Sequence, residues 1–236
     1  MEFSFTIGTN EYFIPEVVTV ELFQKAIAWN LEELKNHLPF VSVITECPLN
    51  ELKLLDVDTF NLVFAACITK IDFSNAELRQ NIGGYELIKL NDMSFGQFVD
   101  IDILIADGMT KHAVELTQKL YGIPAIAAAQ KDVREVWKAM ELIAEWRLKV
   151  YSEHDEFFEI SNNEDSEGPE MTINNLQLMW YNAILVLAEQ KFLNIQHVVE
   201  RPYKEALNFL TWKKNEMSKA QLEQLRKKND LQRRTR

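Results

Sequence analysis

Phe3-Ser4-Phe5-Thr6-Ile7-Gly8-Thr9-Asn10-Glu11-Tyr12-Phe13-Ile14-Pro15 separates an α+β reading from an all-helical one. Phe3, Phe5 and Ile7 alternate with Ser4 and Thr6, Gly8-Thr9-Asn10 supplies a turn, and Tyr12 to Ile14 resumes an apolar run that Pro15 ends. Period-two alternation around a glycine turn predicts a β-hairpin. From Thr19 the period becomes helical, with Phe23, Ile27, Leu31 and Leu34 on one face and Pro39 closing the segment. Phe60, Val63, Phe64, Cys67 and Ile68 make a second helical stripe, opened by Asp56 and Asp58 at its positive end. Gly83-Gly84 breaks the chain before a predicted short strand, Tyr85 to Leu90.

Ser94-Phe95-Gly96-Gln97 has the capping-box pattern, with Met93 and Phe98 as the hydrophobic staple of a helix reaching Ala106. Further helices are predicted over 110–120 and 131–151. Residues 153–170 hold eight acids and no Lys or Arg, and read as a solvated acidic linker. Beyond it, Leu176, Met179, Trp180, Ala183, Ile184, Leu187 and Ala188 form one stripe, while Leu178, Tyr181, Leu185 and Val186 are apolar too. That helix is predicted to be buried nearly all round. Pro202 suits a first helical turn, and Tyr203 to about Asn229 reads as one or two helices. The expected fold is α+β and mainly helical: a domain over 1–152, the linker 153–170, and a helical segment 171–236 with a basic tail.

The 236 residues are 47% hydrophobic and 26% charged, with 7 Gly, 6 Pro and two cysteines, which suits a globular protein and not a disulfide scaffold. No apolar run is long enough to span a membrane, and the start lacks the charged and apolar regions of a signal peptide. The net charge of -11 divides unevenly: residues 217–236 hold seven basic and two acidic side chains, +5, leaving -16 on the rest. An acidic body disfavours nucleic acid and anionic membranes as partners. The tail has cations but no aromatics to stack on bases.

Chemistry-bearing constellations are scarce. Cys67 lies on an apolar helix face and reads as core. Cys47, before Pro48 at a predicted helix entry where the pKa would fall, also reads as structural for want of a neighbouring histidine. His37, His112, His154 and His197 are far apart and carry no zinc spacing. Asn163, Asp165, Glu167 and Gly168 fit an EF-hand loop in part, but Asn174 stands where its bidentate glutamate belongs. Asp100 and Asp107 share a helix face with Asp102 pointing elsewhere, and a solvated face is the expectation. No glycine-rich phosphate loop occurs. No catalytic residue, cofactor or metal is expected. What remains is partner binding, with Trp180, Tyr181 and Ile184 on one helix and Leu207, Leu210, Trp212, Leu222, Leu225, Arg226, Lys227 and Lys228 on the carboxy-terminal one as candidates.

Three stretches carry a resemblance. The hairpin followed by Ile14-Pro-Glu-Val-Val-Thr-Val-Glu21, then Val43-Ile-Thr-Glu-Cys-Pro-Leu-Asn-Glu-Leu52 and Leu55-Asp-Val-Asp-Thr-Phe60, resembles small assembly proteins of tailed bacteriophages, including T4-type baseplate hub assembly proteins. Trp180, Ile184, Leu187-Ala188, Leu193-Asn-Ile195, Val198 and Pro202 before Tyr203–Leu210, with the lysine-rich helical end, are similar to tail assembly chaperones. Leu90-Asn-Asp-Met-Ser-Phe-Gly-Gln-Phe-Val-Asp-Ile101 looks like proteins of phage tail modules. The resemblance implies a non-enzymatic chaperone of virion morphogenesis. It would bind a tail, tape-measure or baseplate subunit in the host cytoplasm, with self-association and a place in the virion as further options. A permanent structural subunit is the alternative, and an unrecognised hydrolase or nucleotide-modifying enzyme the reading from another class.

Overall fold

The hairpin forms where the alternation places it. β1 (Phe3–Ile7) pairs antiparallel with β2 (Asn10–Ile14), Phe5 opposite Tyr12, around Gly8 at φ 60°. The structure, a computed structural model, describes residues 3–28, 31–158 and 172–234, with side chains through 220 and at 223 and 224. Trp29 and the partial EF-hand loop lie outside the described residues.

The helices follow as α1 (Val20–Ala26), α2 (His37–Thr45), α3 (Leu49–Leu52) and α4 (Val57–Lys70). A small second hairpin, β3 (Asn81–Ile82) and β4 (Tyr85–Glu86), precedes α5 (Phe95–Ala106), α6 (Ala113–Tyr121), α7 (Ala125–Ala129) and α8 (Val133–Glu153). Last come α9 (Asp155–Phe158), α10 (Ile173–Leu187), α11 (Ile195–Val199) and α12 (Tyr203–Arg234). The fold is α+β and mainly helical, with two small antiparallel hairpins.

Several elements differ from the sequence reading. The stripe through Leu31 and Leu34 outruns α1, which ends at Ala26, and Leu34 is 82% exposed. Pro39 does not close a helix; it sits in the first turn of α2, where its missing N–H has no intrahelical partner to lose. Gly83 and Gly84, at φ 60° and 90°, turn a hairpin whose second strand is only Tyr85–Glu86. The helix expected from residue 110 begins at Ala113, and α12 runs unbroken to Arg234. The first residues of the acidic stretch are helical, with Phe158 buried in α9. The stretch from 159 to 171 lies outside the described residues.

The chain makes two compact units from interleaved segments: residues 1–89 with 104–144, and residues 90–103 with 145–236. In the first unit, Phe23 meets Phe73 and Trp137, ring centroids 5.4 and 5.6 Å away, and Phe73 stacks on Trp137 at 4.3 Å. A short bridge ties the start of α1 to the start of α8: Val20 N donates to the Lys131 carbonyl at 2.9 Å and Val133 N to the Val18 carbonyl at 3.0 Å. Asp56 caps α4 by accepting from Thr59 N at 2.9 Å.

The second unit is built on α5. Ser94 Oγ accepts from Gln97 N at 3.2 Å and Gln97 Oε1 accepts from Ser94 N at 3.0 Å, closing the capping box reciprocally. Met93 and Phe98, its staple, are both fully buried. Gly96 is required by close approach: a Cβ there would lie 3.1 Å from Val199 Cβ and 3.2 Å from its carbonyl oxygen. The start of α12 is tied to the same cap, since Phe95 N donates to Arg201 O at 2.6 Å and Tyr203 N to Met93 O at 3.2 Å.

Candidate docking surface

A single carboxylate fixes α10 within the second unit. Asp102, 1% exposed, accepts from Arg147 Nε at 2.6 Å and from Trp180 Nε1 at 2.7 Å. Tyr151 Oη donates to the same carboxylate, 2.8 and 2.9 Å from its two oxygens. Arg147 Nη2 in turn donates to Tyr151 Oη at 3.0 Å. Burial beside this carboxylate pushes the Tyr151 phenol well up. Three donors from α8 and α10 thus converge on α5, and a buried charge so paired resists rearrangement because removing any partner strands the others. Asp102, set apart in the sequence from the face shared by Asp100 and Asp107, is therefore no solvated acid, while Asp100 is exposed. The missed signal was local: Asp102 stands among Val99, Ile101, Ile103 and Leu104, and acids are almost never fully buried without a partner.

Around this anchor the aromatic rings close a core. Trp180 meets Phe95, Phe98 and Phe158 edge-on at 5.8, 5.5 and 5.7 Å, and Phe98 stacks on Tyr203 at 5.4 Å. Edge-on pairs of this kind each add roughly 0.5–1.5 kcal/mol beyond area burial. Only one face of α10 is spent on it. Leu176, Trp180 and Ala183 are buried, whereas Leu178 and Tyr181 are 58% and 57% exposed, so α10 is amphipathic and not buried all round.

The candidate partner residues separate accordingly. Trp180, Leu207 and Leu210 are buried, at 1%, 0% and 5% exposure, so little of their surface is open to a partner, unlike what was expected of them as contacts. Ile184 is half-buried. Tyr181 and Trp212 are exposed, and Phe209 lies with its ring 5.5 Å from that of Trp212. The side chains of Leu222, Leu225, Arg226, Lys227 and Lys228 lie outside the described residues, on the described backbone of α12. The two most exposed large apolar residues among those described in the unit were not among the partner candidates read from the sequence. Phe192 and Leu193, 83% and 91% exposed, sit side by side on the single turn between α10 and α11. Glu189 and Gln190, both left-handed at φ 52° and 58°, turn the chain just before that pair. Their signal was position: two large apolar residues directly after Glu189-Gln190-Lys191, where a loop ordinarily carries polar side chains.

Elsewhere the titratable groups are occupied structurally. Burial pushes the Cys67 thiol up to about 12 and raises the Cys47 thiol as well, so the helix entry at Leu49 does not activate Cys47 as its position suggested. His112 Nε2 lies 2.7 Å from Asp107 Oδ2, but Lys111 Nζ claims the same oxygen at 2.6 Å, making the trio a clasp on the turn between α5 and α6. Among the described residues no group of three His, Cys, Asp or Glu could hold a metal ion. Tyr181, Phe192, Leu193, Phe209 and Trp212 are exposed apolar side chains of this unit. Comparison of the chain with protein-family models, with curated proteins and with solved structures finds no match.

Proposed function

We propose that this chain is a non-enzymatic protein-binding factor that acts as a chaperone in phage tail or baseplate assembly, docking its partner on the α10–α12 region of the second unit. The observation that carries the binding role is the pair Phe192 and Leu193, held out by a turn and almost wholly exposed. Scattered apolar residues on a surface need no explanation, but adjacent large ones on a shaped turn, with Phe209 and Trp212 paired on α12, have the character of interface anchors. Covering a phenylalanine and a leucine contributes about 1.5–3 kcal/mol each. The acidic remainder of the chain, -16 over residues 1–216, keeps a complex with an apolar partner in solution. The assembly setting rests on the resemblance carried by Leu90–Ile101, by 180–210 and by the amino-terminal stretches.

The test is capture of the full chain from phage-infected cells, followed by mass spectrometry of the bound proteins and of purified virions. A tail, tape-measure or baseplate subunit is expected with the chain. It is lost when Phe192→Asp and Leu193→Asp are combined, and the chain is missing from virions. Stoichiometric presence in the virion replaces the chaperone with a structural subunit, and capture without any tail protein overturns the assembly reading.

A further inference from the structure

The amino-terminal hairpin leaves one strand edge open. Ile7 and Asn10 pair across the turn Gly8-Thr9, so this pair, Phe5 with Tyr12 and Phe3 with Ile14 exchange the inter-strand bonds. The N–H and C=O of Glu11 and Phe13 therefore point away from β1, and among the described residues they have no backbone partner. Beside them lies an open groove of about 420 Å³, shared with Leu22 of α1 and with Ile44 to Glu46 at the end of α2. Glu11 and Phe13 project from one face of the hairpin and Tyr12 from the other. A groove that touches all three and no residue of β1 follows the edge of β2. Glu51 holds that strand in place, accepting from Tyr12 Oη at 2.6 Å and from Asn10 Nδ2 at 3.1 Å.

We propose that this groove receives an extended segment of a partner protein bearing lysine or arginine, which joins β2 as a third strand. An unpaired edge offers backbone hydrogen bonds to any extended chain, and the neighbouring side chains then select among sequences. Glu11 and Phe13 present their N–H and C=O groups, and the edge ends at Pro15, which has no N–H. The selection for a cation comes from the lining, whose charged residues are Glu11 and Glu46, both exposed. Glu11 accepts from the neutral Ser4 Oγ at 2.9 Å, and neither carboxylate has a cationic partner among the described residues. Glu46 ends α2 at φ 55°, a left-handed position that glycine would take without strain. The carboxyl end of a helix adds partial negative charge of the same sign. The same groups disfavour a second copy, since pairing β2 with its equivalent would crowd two of each glutamate into one interface. The assignment goes beyond docking on α10–α12 and does not rest on it, because every residue named here belongs to the first unit.

The probe is a labelled peptide of about seven alternating valines and lysines, slightly longer than a typical strand. Its control carries glutamates in place of the lysines. Fluorescence anisotropy with the full chain should show the lysine peptide binding about tenfold tighter than the control at low salt. Net charge alone would favour the same peptide, so two comparisons isolate the edge. A strand seated on β2 uses the N–H groups of alternate residues only. N-methylating one alternate set should therefore weaken binding about tenfold, and N-methylating the other set less than about twofold. Glu11→Lys combined with Glu46→Lys should weaken the lysine peptide about tenfold and leave the circular dichroism unchanged. Glu200→Lys combined with Glu223→Lys, the same change of charge in the other unit, should cost less than about twofold. No binding, equal effects of the two N-methylated sets, or equal effects of the two charge variants overturns the proposal. So does a concentration-dependent dimer that the peptide disperses, which would pair β2 with a second copy. Phe192 and Leu193 play no part in this assay, so the outcome of capture at that pair leaves the edge assignment to be judged by itself.

Discussion

Replacing Asp102 by Asn tests whether one carboxylate holds the second unit together. The shape is kept, but one oxygen becomes an NH₂. Placed at Oδ2 it faces the Trp180 N–H, and placed at Oδ1 it faces the Arg147 Nε–H. Either way a buried donor meets a donor, a loss of about 1–3 kcal/mol, and Arg147 keeps a positive charge without its counter-ion. Breaking a buried pair from one side costs about 3–5 kcal/mol. The Arg147 side chain is 17% exposed and partly hydrated, so the lower end applies, about 3 kcal/mol. With a urea slope of roughly 2–3 kcal/mol/M, the midpoint should fall by about 1–1.5 M. Tryptophan fluorescence reads it, since Trp146 and Trp180 both lie in this unit's aromatic cluster. Tyr151→Phe removes one donor and should cost about 1 kcal/mol, and the exposed Asp100→Asn less than that. A midpoint within about 0.3 M of wild type for Asp102→Asn would refute the reasoning.

Ser94→Ala should destabilise the second unit by about 1 kcal/mol and Ser94→Asp by much less, because aspartate caps a helix as well as serine; equal losses would mean that the cap is incidental. Neither Cys47 nor Cys67 should react with an alkylating reagent in the native chain, both being buried with raised pKa, and both should react in urea. Rapid native labelling of Cys67 would show that the α4 stripe opens. Burial lowers the pKa of His154 below its ordinary 6.5 against a smaller opposing pull from Glu153. The folded state therefore binds this proton less readily than the unfolded one, so its stability contribution is intact above about pH 6.5 and is lost as the pH falls through the folded value. The urea midpoint should decline between about pH 7 and pH 5.5 and decline less in His154→Gln; a wild-type profile no steeper than the variant's rejects the assignment.

The parts legible in the sequence are those whose physics is local. The hairpin, the Asp56 cap and the Ser94–Gln97 box with its staple each involve residues a few positions apart. Pro39 was misread because proline both ends helices and begins them, and only the first turn of α2 tells which. Apolar letters on both sides of α10 suggested full burial, yet Leu178 and Tyr181 face solvent while Leu176 and Trp180 do not. Letter composition cannot separate a buried face from an interaction face. Of the exposed apolar side chains in the proposed docking surface, Tyr181 and Trp212 were named from the sequence, and Phe192 and Leu193 were not named as contacts, since a turn has no period to make them conspicuous. Asp102 was hidden for the opposite reason: its partners are distant in the chain, and charge counting assigns an acid to water unless a partner is known.

That separation has a consequence for synthesis. Asp102 precedes Arg147 by 45 residues, Tyr151 by 49 and Trp180 by 78. At roughly 5–20 residues per second, the ribosome adds Trp180 about 4–16 s after Asp102. Until Arg147 is added the carboxylate has none of these three donors, and residues 104–144 of the other unit are added in between. The first unit has its whole sequence by Ala144, before any of the three donors exists. Order of manufacture therefore favours an order of assembly: the hairpin-bearing unit can close during translation, before the unit that carries Phe192 and Leu193 has its full sequence. A nascent chain cut short before residue 180 would lack the Trp180 donor to Asp102 as well as the exposed pair Phe192 and Leu193.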